Sequence, residues 1–153
     1  CCAGVIFFNP LPADLAVCVA AVTDFKPEVK SKNKIKKENM NLNSINFVKN
    51  NDILEYICKH NKYRPRLVAG FSAETENLTE NSINKMKRKH CDIIFANNVS
   101  QKNIGFNSDY NKVSVIDKKG NVKIIPKNKK SFIANKIAEI LLDKLLIDDR
   151  NIN

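Results

Sequence analysis

The sequence has no tryptophan, only four glycines, and no apolar run close to the roughly 20 residues that a membrane-spanning helix needs. It also has neither a P-loop nor the glycine fingerprint of dinucleotide-binding proteins, so ordinary NTPases and dinucleotide oxidoreductases lack support. Its five cysteines are an odd number without a CxxC pair, which is typical of neither a disulfide scaffold nor a zinc site. We therefore expect a cytoplasmic protein with no membrane partner.

Positive charge is abundant, with 26 lysines and arginines against 16 acidic residues and a formal net charge of +10. This excess indicates a nucleic acid, an anionic membrane surface or a phosphate-rich small ligand. Only four of the basic residues are arginine, the side chain best suited to bidentate reading of bases. We expect no nucleic-acid partner, and a basic nucleic-acid-binding module remains the alternative.

Hydrophobic patterns alternate between strands and helices along the chain, which predicts one α/β domain. The predicted fold is Rossmann-like with three layers, a mostly parallel sheet and a small antiparallel hairpin extension. The predicted strands are 14–22, 45–48, 67–71 and 92–96, the hairpin strands are 112–117 and 121–125, and the helices are 52–60, 79–90 and 131–146.

Four local features refine this prediction. The first strand is apolar enough to be buried on both faces, and the lysine-rich segment 24–46 is expected to form a long loop. Thr79 is a candidate N-cap for its helix. The final helix should pack on the sheet through Ile133, Ile137, Ile140, Leu141, Leu145 and Leu146. We expect Cys18 in the core, and Cys58 and Cys91 half-buried at helix ends and unreactive.

In parallel α/β sheets, ligands bind beyond the carboxyl ends of the strands. Small residues there, such as Ala20 and Gly70, allow either a ligand or a packed helix to approach the backbone closely. Asp24 and Glu74 could bind a ribose hydroxyl or a magnesium ion, or could cap a turn. Phe71 could stack on a base or belong to the core.

Two lysine clusters could meet at one anion. Residues 34–37 include Lys34, Lys36 and Lys37, while Lys85 and Lys89 share one helix face. A nucleoside triphosphate carries about four negative charges, which several ammonium groups would offset as pyrophosphate leaves. A solvated surface is the alternative interpretation of the same lysines.

The order of these motifs resembles the phosphopantothenoylcysteine synthetase domain, which forms the carboxyl-terminal half of a bifunctional coenzyme A biosynthesis protein in bacteria. The motifs are A-A-V-T-D at 20–24, K-I-K-K at 34–37, V-K-N-N-D-I at 48–53, G-F-S-A-E-T at 70–75, A-N-N-V-S at 96–100 and G-F-N-S-D at 105–109. We expect the domain to span 14–147, between an unrelated stretch at 1–13 and a tail at 148–153.

This resemblance implies a phosphopantothenate–cysteine ligase that uses CTP and Mg²⁺. In that reaction, 4'-phosphopantothenate and CTP give an acyl-cytidylate and pyrophosphate, and the amine of cysteine then displaces CMP. The resemblance also implies a homodimer, for which we expect contact through the hairpin at 112–125. It further implies fusion to, or association with, a phosphopantothenoylcysteine decarboxylase domain.

The resemblance also assigns roles to individual residues. Lys34 matches the catalytic lysine of a flap over the triphosphate and the acyl-cytidylate. The remaining nucleotide-binding positions that the resemblance implies are Cys18, Val19, Ala20, Asp24, Asn51, Asp52, Ile53, Leu54, Phe71, Lys85 and Lys89. It identifies no metal ligands.

The chain departs from the family pattern in three places. Asn98 stands where the family usually has Asp, and Asn51 stands where Pro is common. Upstream of Asp14 we find no counterpart of the family's amino-terminal strand and substrate-holding asparagine. An alternative expectation is therefore a catalytically incomplete remnant that binds the nucleotide without turning it over.

Overall fold

The computed structural model describes residues 13–19, 22–30, 33, 45–100 and 108–150. These residues fall into two compact units, a smaller one with 22–30, 33 and 45–52 and a larger one with the remainder. The described strands are β1 (Leu15–Cys18), β2 (Phe25–Pro27), β3 (Phe47–Lys49), β4 (Leu67–Glu74), β5 (Ile93–Asn98), β6 (Tyr110–Asp117) and β7 (Val122–Lys129). The described helices are α1 (Ile53–Cys58), α2 (Leu78–Lys89) and α3 (Lys130–Arg150).

The larger unit is built on a sheet whose described strands have the order β1-β4-β5-β6-β7. β1, β4 and β5 are parallel, whereas β6 and β7 are antiparallel to their neighbours. The hairpin turns at Gly120, whose φ of 82° suits a residue without a side chain. The predicted parallel sheet with an antiparallel hairpin is therefore confirmed.

Alternate residues of the central strands face opposite sides of this sheet. Leu67 and Ala69 belong to a core cluster completed by Ile133 and Leu141 of α3. Val68 between them belongs to a second cluster, which contains Cys58 of α1, Met86 of α2, Cys91, Ile94, Ala96 and Ile116. Helices thus cover both faces, which confirms the three-layer prediction and explains why β4 and β5 are almost continuously apolar.

Several predicted details differ in the structure. β1 is not buried on both faces: as the first strand in the described sheet it pairs with β4 alone, and Val17 is 38% exposed. α2 begins at Leu78 instead of at a Thr79 cap, because Leu78 packs against the second core cluster. Asn77 takes the N-cap position in a left-handed conformation. On α3 the predicted apolar face is buried at Ile133 and Leu141 and partly buried at Ile137, Ile140 and Leu145, whereas Leu146 is 57% exposed.

An ionic cluster joins the amino ends of β4 and β5. The Asp92 carboxylate accepts hydrogen bonds from the backbone N–H of Val68 at 2.6 Å and from Arg64 at 3.0 Å. Lys118 of the hairpin turn forms an ion pair with the same carboxylate. The Arg64 guanidinium also donates to the carbonyls of Cys58, Pro65 and His90. The cluster therefore ties α1, α2 and the hairpin to one end of the sheet.

The smaller unit contains the antiparallel pair β2–β3. β2 falls inside the segment predicted to be a loop, and it pairs with a strand about 20 residues further along the chain. Most of that segment, 31–32 and 34–44, lies outside the described residues.

Candidate functional site

The carboxyl ends of the three parallel strands lie along one edge of the sheet. Cys18, the last residue of β1, is level with Gly70 of β4, which is level with Ile94 of β5. β4 and β5 continue together as far as the pair Glu74 and Asn98. Most of the ligand-binding residues predicted in the larger unit therefore follow this edge or lie near it.

Phe71 and Lys85 are brought together at the carboxyl half of β4. The Lys85 ammonium donates a hydrogen bond to the backbone carbonyl of Phe71 at 2.8 Å. The aromatic ring of Phe71 packs beside Phe95, with 5.3 Å between ring centroids, and contacts the core cluster under α3. The ring is partly buried against the core, and the Lys85 ammonium keeps further donors for an anion.

A polar network surrounds Glu74, the last residue of β4. Its carboxylate accepts a hydrogen bond from the Ser72 hydroxyl at 2.6 Å and a longer one from Asn81 of α2 at 3.4 Å. Asn81 also donates to the carbonyl of Glu76 at 3.1 Å. Sequence reasoning missed Ser72 and Asn81, although Asn81 precedes Lys85 by four residues and so shares its helix face.

Gly70 lies directly beneath Leu54 in the first turn of α1. A Cβ atom added at Gly70 would lie 2.7 Å from Cδ2 of Leu54, closer than side chains pack. The glycine therefore allows α1 to pack tightly on β4, the helix-packing interpretation that the sequence left open.

Lys89 lies one helical turn after Lys85 but has a different partner. Its ammonium is 3.0 Å from a carboxylate oxygen of Glu55 in α1, and Lys89 as a whole is 8% exposed. Lys59 bonds the other oxygen of Glu55 at 2.6 Å. The hydrogen bonds from Lys59 and Lys89 lower the pKa of Glu55 from 4.5 to about 2. Glu55 is therefore fully ionised near neutral pH.

The end of β5 is organised by its own asparagine. The side-chain oxygen of Asn98 accepts hydrogen bonds from the backbone N–H of Ser100 at 2.9 Å and from its hydroxyl at 2.6 Å. The N–H of Val99 donates to the carbonyl of Glu74 at 2.9 Å. An uncharged amide thus closes the turn at the position where the family usually has Asp.

In the smaller unit, Asp24 and Asn51 flank the β2–β3 pair. The N–H of Asn50 donates to the carbonyl of Asp24 at 2.7 Å, and the Asn50 side chain donates to the carbonyl of Thr23 at 2.8 Å. These bonds hold the start of β2 beside the end of β3. Asp24 therefore lies close to Asn50 and Asn51 within the smaller unit.

Other predicted residues are distributed as follows. Val19 follows β1 and is 62% exposed, and Ile53 is the first residue of α1. Lys34 and Ala20 lie outside the described residues.

Cys58 and Cys91 are free thiols, whereas Cys18, predicted to lie in the core, is only partly buried. Cys58 and Cys91 are 4% and 1% exposed, so they are fully buried and not half-buried as predicted. Burial raises the pKa of Cys58 to about 12 and that of Cys91 to about 11. A protonated buried thiol is a poor nucleophile.

Within the described ranges, no group of three or more His, Cys, Asp and Glu side chains is arranged to hold a metal ion. Of the helices described, none has the length and apolar character needed to cross a membrane.

Known proteins resemble this chain in sequence and in fold. The family model described as DNA/pantothenate metabolism flavoprotein C-terminal domain matches residues 9–145. The coenzyme A biosynthesis bifunctional protein CoaBC of Borreliella burgdorferi is 40% identical over 129 residues, which cover 84% of this chain and 32% of that protein. The protein of the same name from Escherichia coli K12 is 36% identical over 136 residues, which cover 86% and 32%.

A solved structure supports the same relationship. The crystal structure of the C-terminal domain of CoaBC superposes with a TM-score of 0.62 at 25% identity, covering 88% of this chain and 58% of that chain. The chain spans about a third of the length of the curated relatives, at 32% of each. These matches confirm the resemblance found in the sequence motifs. The chain therefore belongs to the DNA/pantothenate metabolism flavoprotein C-terminal domain family.

Proposed function

We propose that this chain carries the phosphopantothenate–cysteine ligase activity of coenzyme A biosynthesis. The observation that carries the proposal is the Lys85 ammonium beside the Phe71 carbonyl, at the strand edge where α/β folds bind ligands. Family membership supports it, because the relatives from Borreliella burgdorferi and Escherichia coli are named as coenzyme A biosynthesis proteins. The six ordered motifs shared with the synthetase domain support it as well.

The proposed reaction has two displacement steps. A carboxylate oxygen of 4'-phosphopantothenate attacks the α-phosphorus of CTP, the bond to the β-phosphate oxygen breaks, and pyrophosphate leaves. The amine of L-cysteine then attacks the acyl carbon, forms the amide, loses a proton to solvent and releases CMP. The acyl-cytidylate is already activated, so the second step requires positioning more than a protein nucleophile.

The lysines supply the positive charge that the first step needs. We assign Lys34 as the catalytic lysine that stabilises charge on the triphosphate and the acyl-cytidylate. Lys85 offers a second ammonium group beside the strand edge. The resemblance to the synthetase domain assigns the remaining nucleotide contacts to backbone groups at Cys18, Val19 and Ala20 and to Asp24, Phe71, Lys89 and the stretch Asn51, Asp52, Ile53 and Leu54.

Magnesium would enter this site with its nucleotide. Mg²⁺ usually retains water and phosphate ligands and takes only one or two protein carboxylates. We therefore propose Mg–CTP as the form in which the nucleotide binds.

The proposed assembly is a cytoplasmic homodimer. β7 is the last strand of the sheet within the described residues, and its Val122 and Ile124 are 43% and 55% exposed. Pairing of two such hairpins would cover these apolar side chains. We also propose fusion to, or association with, a decarboxylase domain, consistent with relatives that are named bifunctional.

Calorimetric titration tests the proposal directly. CTP and ATP are titrated separately into the purified chain with magnesium, and pyrophosphate release is followed after 4'-phosphopantothenate is added. We expect CTP-selective binding with pyrophosphate release. CTP binding without release would favour the catalytically incomplete remnant, and salt-sensitive binding to DNA or RNA in place of CTP would favour the nucleic-acid module.

Matched lysine variants test the assignment of Lys34. We expect Lys34→Gln to lower turnover by about 100-fold, the scale associated with loss of one group that stabilises transition-state charge. Lys36→Gln and Lys119→Gln remove the same charge from a neighbouring position and from the hairpin turn, and should retain turnover. Equal losses in all three variants would argue for a general effect of charge and against a specific flap lysine.

A further inference from the structure

A basic surface with two exposed aromatic rings lies at the open end of the β6–β7 hairpin. It consists of one residue at the start of β6, two at the end of β7 and three in the first two turns of α3: Tyr110, Lys127, Lys129, Lys130, Phe132 and Lys136. We call these six residues the hairpin patch. The resemblance to the synthetase domain assigns a nucleotide contact to none of them.

Strand register places the β6 and β7 members of the patch on one face of the hairpin. Tyr110 pairs directly with Lys129, and Lys127 faces the same side because it lies two residues earlier in the strand. The Lys127 ammonium is 5.7 Å from the centre of the Tyr110 ring. Ile125, on that same face, belongs to the core cluster that contains Ile133 of α3. These side chains therefore project from the face of the sheet that α3 covers.

The first turns of α3 continue the patch. Lys130 begins the helix directly after β7, and its N–H donates a hydrogen bond to the carbonyl of Asp109 at 2.8 Å. The Lys136 ammonium lies 5.9 Å from the centre of the Phe132 ring. Phe132 is 42% exposed and Tyr110 is 43% exposed. Both rings are thus open to solvent, and each has a lysine ammonium beside it.

Positive charge in the patch is largely uncompensated. Lys136 forms an ion pair with Glu139 at 2.7 Å. Within the part of the chain that the structure describes, no carboxylate forms an ion pair with Lys127, Lys129 or Lys130, and all three are exposed. A polyanion could therefore bind these three lysines without displacing an existing ion pair.

We propose that the hairpin patch binds single-stranded nucleic acid without sequence preference. Aromatic rings stack on unpaired bases of any kind, while neighbouring ammonium groups attract the phosphates. Lys127 and Lys129 lie about 7 Å apart along an extended strand, which places two ammonium groups in a row beside a phosphate backbone. Only four residues of the chain are arginine and none lies in the patch, so bidentate reading of bases is not expected.

Two other polyanionic partners fit these observations less well. An acidic peptide would bind the lysines but leave both rings without a stacking partner. An anionic membrane surface would require a wider apolar face than two rings separated by lysines.

This binding is independent of the proposed ligase activity. The patch lies on the α3 side of the sheet, whereas α2, which carries Lys85, packs on the opposite face. Saturating Mg–CTP should therefore not displace a bound strand.

The test measures fluorescence anisotropy of a labelled oligothymidylate of about 16 nucleotides, the upper end of common single-strand site sizes. The same strand annealed to its complement is the duplex comparison. We expect the chain to bind the single strand about tenfold more tightly than the duplex, because pairing hides the base faces. Affinity should fall as salt is raised.

Matched lysine variants distinguish the patch from the general positive charge of the chain. The double variant Lys127→Gln/Lys129→Gln should weaken binding about tenfold and lower the slope of log affinity against log salt by about 1.4. The control is Lys119→Gln/Lys123→Gln, which removes the same charge from exposed positions near the hairpin turn. Lys123 lies about 20 Å from Lys129 along β7, more than a Debye length, so the control should stay within about twofold of wild type.

Variants of Tyr110 separate stacking from charge and from folding. Tyr110→Ala should weaken single-strand binding about tenfold, whereas Tyr110→Phe keeps an aromatic ring and should retain it. Retention in Tyr110→Phe and loss in a Tyr110→Ala variant whose circular dichroism spectrum matches wild type would support stacking.

Several outcomes would overturn the proposal. Equal affinity for single strand and duplex, or equal losses in the two lysine double variants, would indicate general attraction to positive charge. Displacement of the strand by polyglutamate as effectively as by unlabelled strand would favour an acidic peptide. Failure to bind the strand, together with binding to phosphatidylserine vesicles that is lost in Tyr110→Ala, would favour a membrane surface. Displacement by Mg–CTP would place the strand in the nucleotide site. A wild-type chain that binds the strand but no CTP would refute the ligase proposal and leave this one standing.

Discussion

Replacement of Asp92 by alanine should destabilise the fold from the end of the sheet opposite the candidate site. The Asp92 side chain is 10% exposed, and its carboxylate binds the N–H of Val68, the Arg64 guanidinium and the Lys118 ammonium. These three partners belong to different segments of the larger unit. Asp92→Ala therefore removes one acceptor that several segments share.

The cost can be estimated from each partner. Val68 is fully buried, so its unpaired N–H should cost about 1–3 kcal/mol. Loss of the charge-assisted bond to Arg64 should add about 1 kcal/mol, because Arg64 keeps its carbonyl acceptors. Lys118 is 61% exposed and should contribute less than about 1 kcal/mol. The sum is about 2–5 kcal/mol, a large fraction of the total stability of a typical domain.

Urea denaturation followed by far-ultraviolet circular dichroism measures this difference. Asp92→Asn keeps an acceptor for Val68 and should lose about half as much stability as Asp92→Ala. Asp143→Ala is the control, because Asp143 is an exposed carboxylate on α3 and should change stability by less than about 0.5 kcal/mol. If Asp92→Ala and Asp143→Ala gave the same midpoint and slope, the estimated contributions of Val68, Arg64 and Lys118 to stability would be refuted.

Three further predictions follow from the environments of single residues. The pKa of Glu55 is lowered from 4.5 to about 2, so its ionised form stabilises the fold above about pH 4.5, and this contribution is lost as the pH falls through 2. Thermal melts should therefore show wild type and Glu55→Gln differing at pH 7 and converging near pH 2. Cys58 and Cys91, with raised pKa values, should resist iodoacetamide in the native chain and react in urea, as read by peptide mass spectrometry. Gly70→Ala should lower the free energy of unfolding, measured by urea denaturation, by about 1–3 kcal/mol. A second change of Leu54→Val should recover part of that loss. If Gly70→Ala left the stability unchanged, Leu54 would have to move freely.

The sequence patterns were sufficient to predict the order of elements in the larger unit. β4 and β5 are apolar on both faces because helices cover both faces. Their continuous apolar pattern therefore predicts buried strands without knowledge of which helices pack on them. The same rule failed for β1, because an apolar strand looks the same at the edge of a sheet and at its centre. β2 was missed since its three residues are exposed and contain Pro27, and only a partner distant in sequence makes them a strand.

The candidate site was partly predictable for a related reason. Helical spacing correctly placed Lys85 and Lys89 on one face of α2. Spacing could not show that the Lys85 ammonium meets a backbone carbonyl of β4 while the Lys89 ammonium meets a carboxylate of α1. The carboxylate partner of Lys89 depends on the packing of α1, which in turn depends on the missing Cβ at Gly70.

This dependence changes how the G-F-S-A-E-T motif is understood. Its glycine accommodates Leu54, its phenylalanine presents a carbonyl to Lys85, and its glutamate accepts hydrogen bonds from Ser72 and from α2. Apart from the bond between Ser72 and Glu74, which lies within β4, each of these contacts joins β4 to a helix that begins near the carboxyl edge of the sheet. Substitutions in the motif should therefore alter nucleotide affinity through the placement of α1 and α2, even where the substituted side chain never touches the nucleotide.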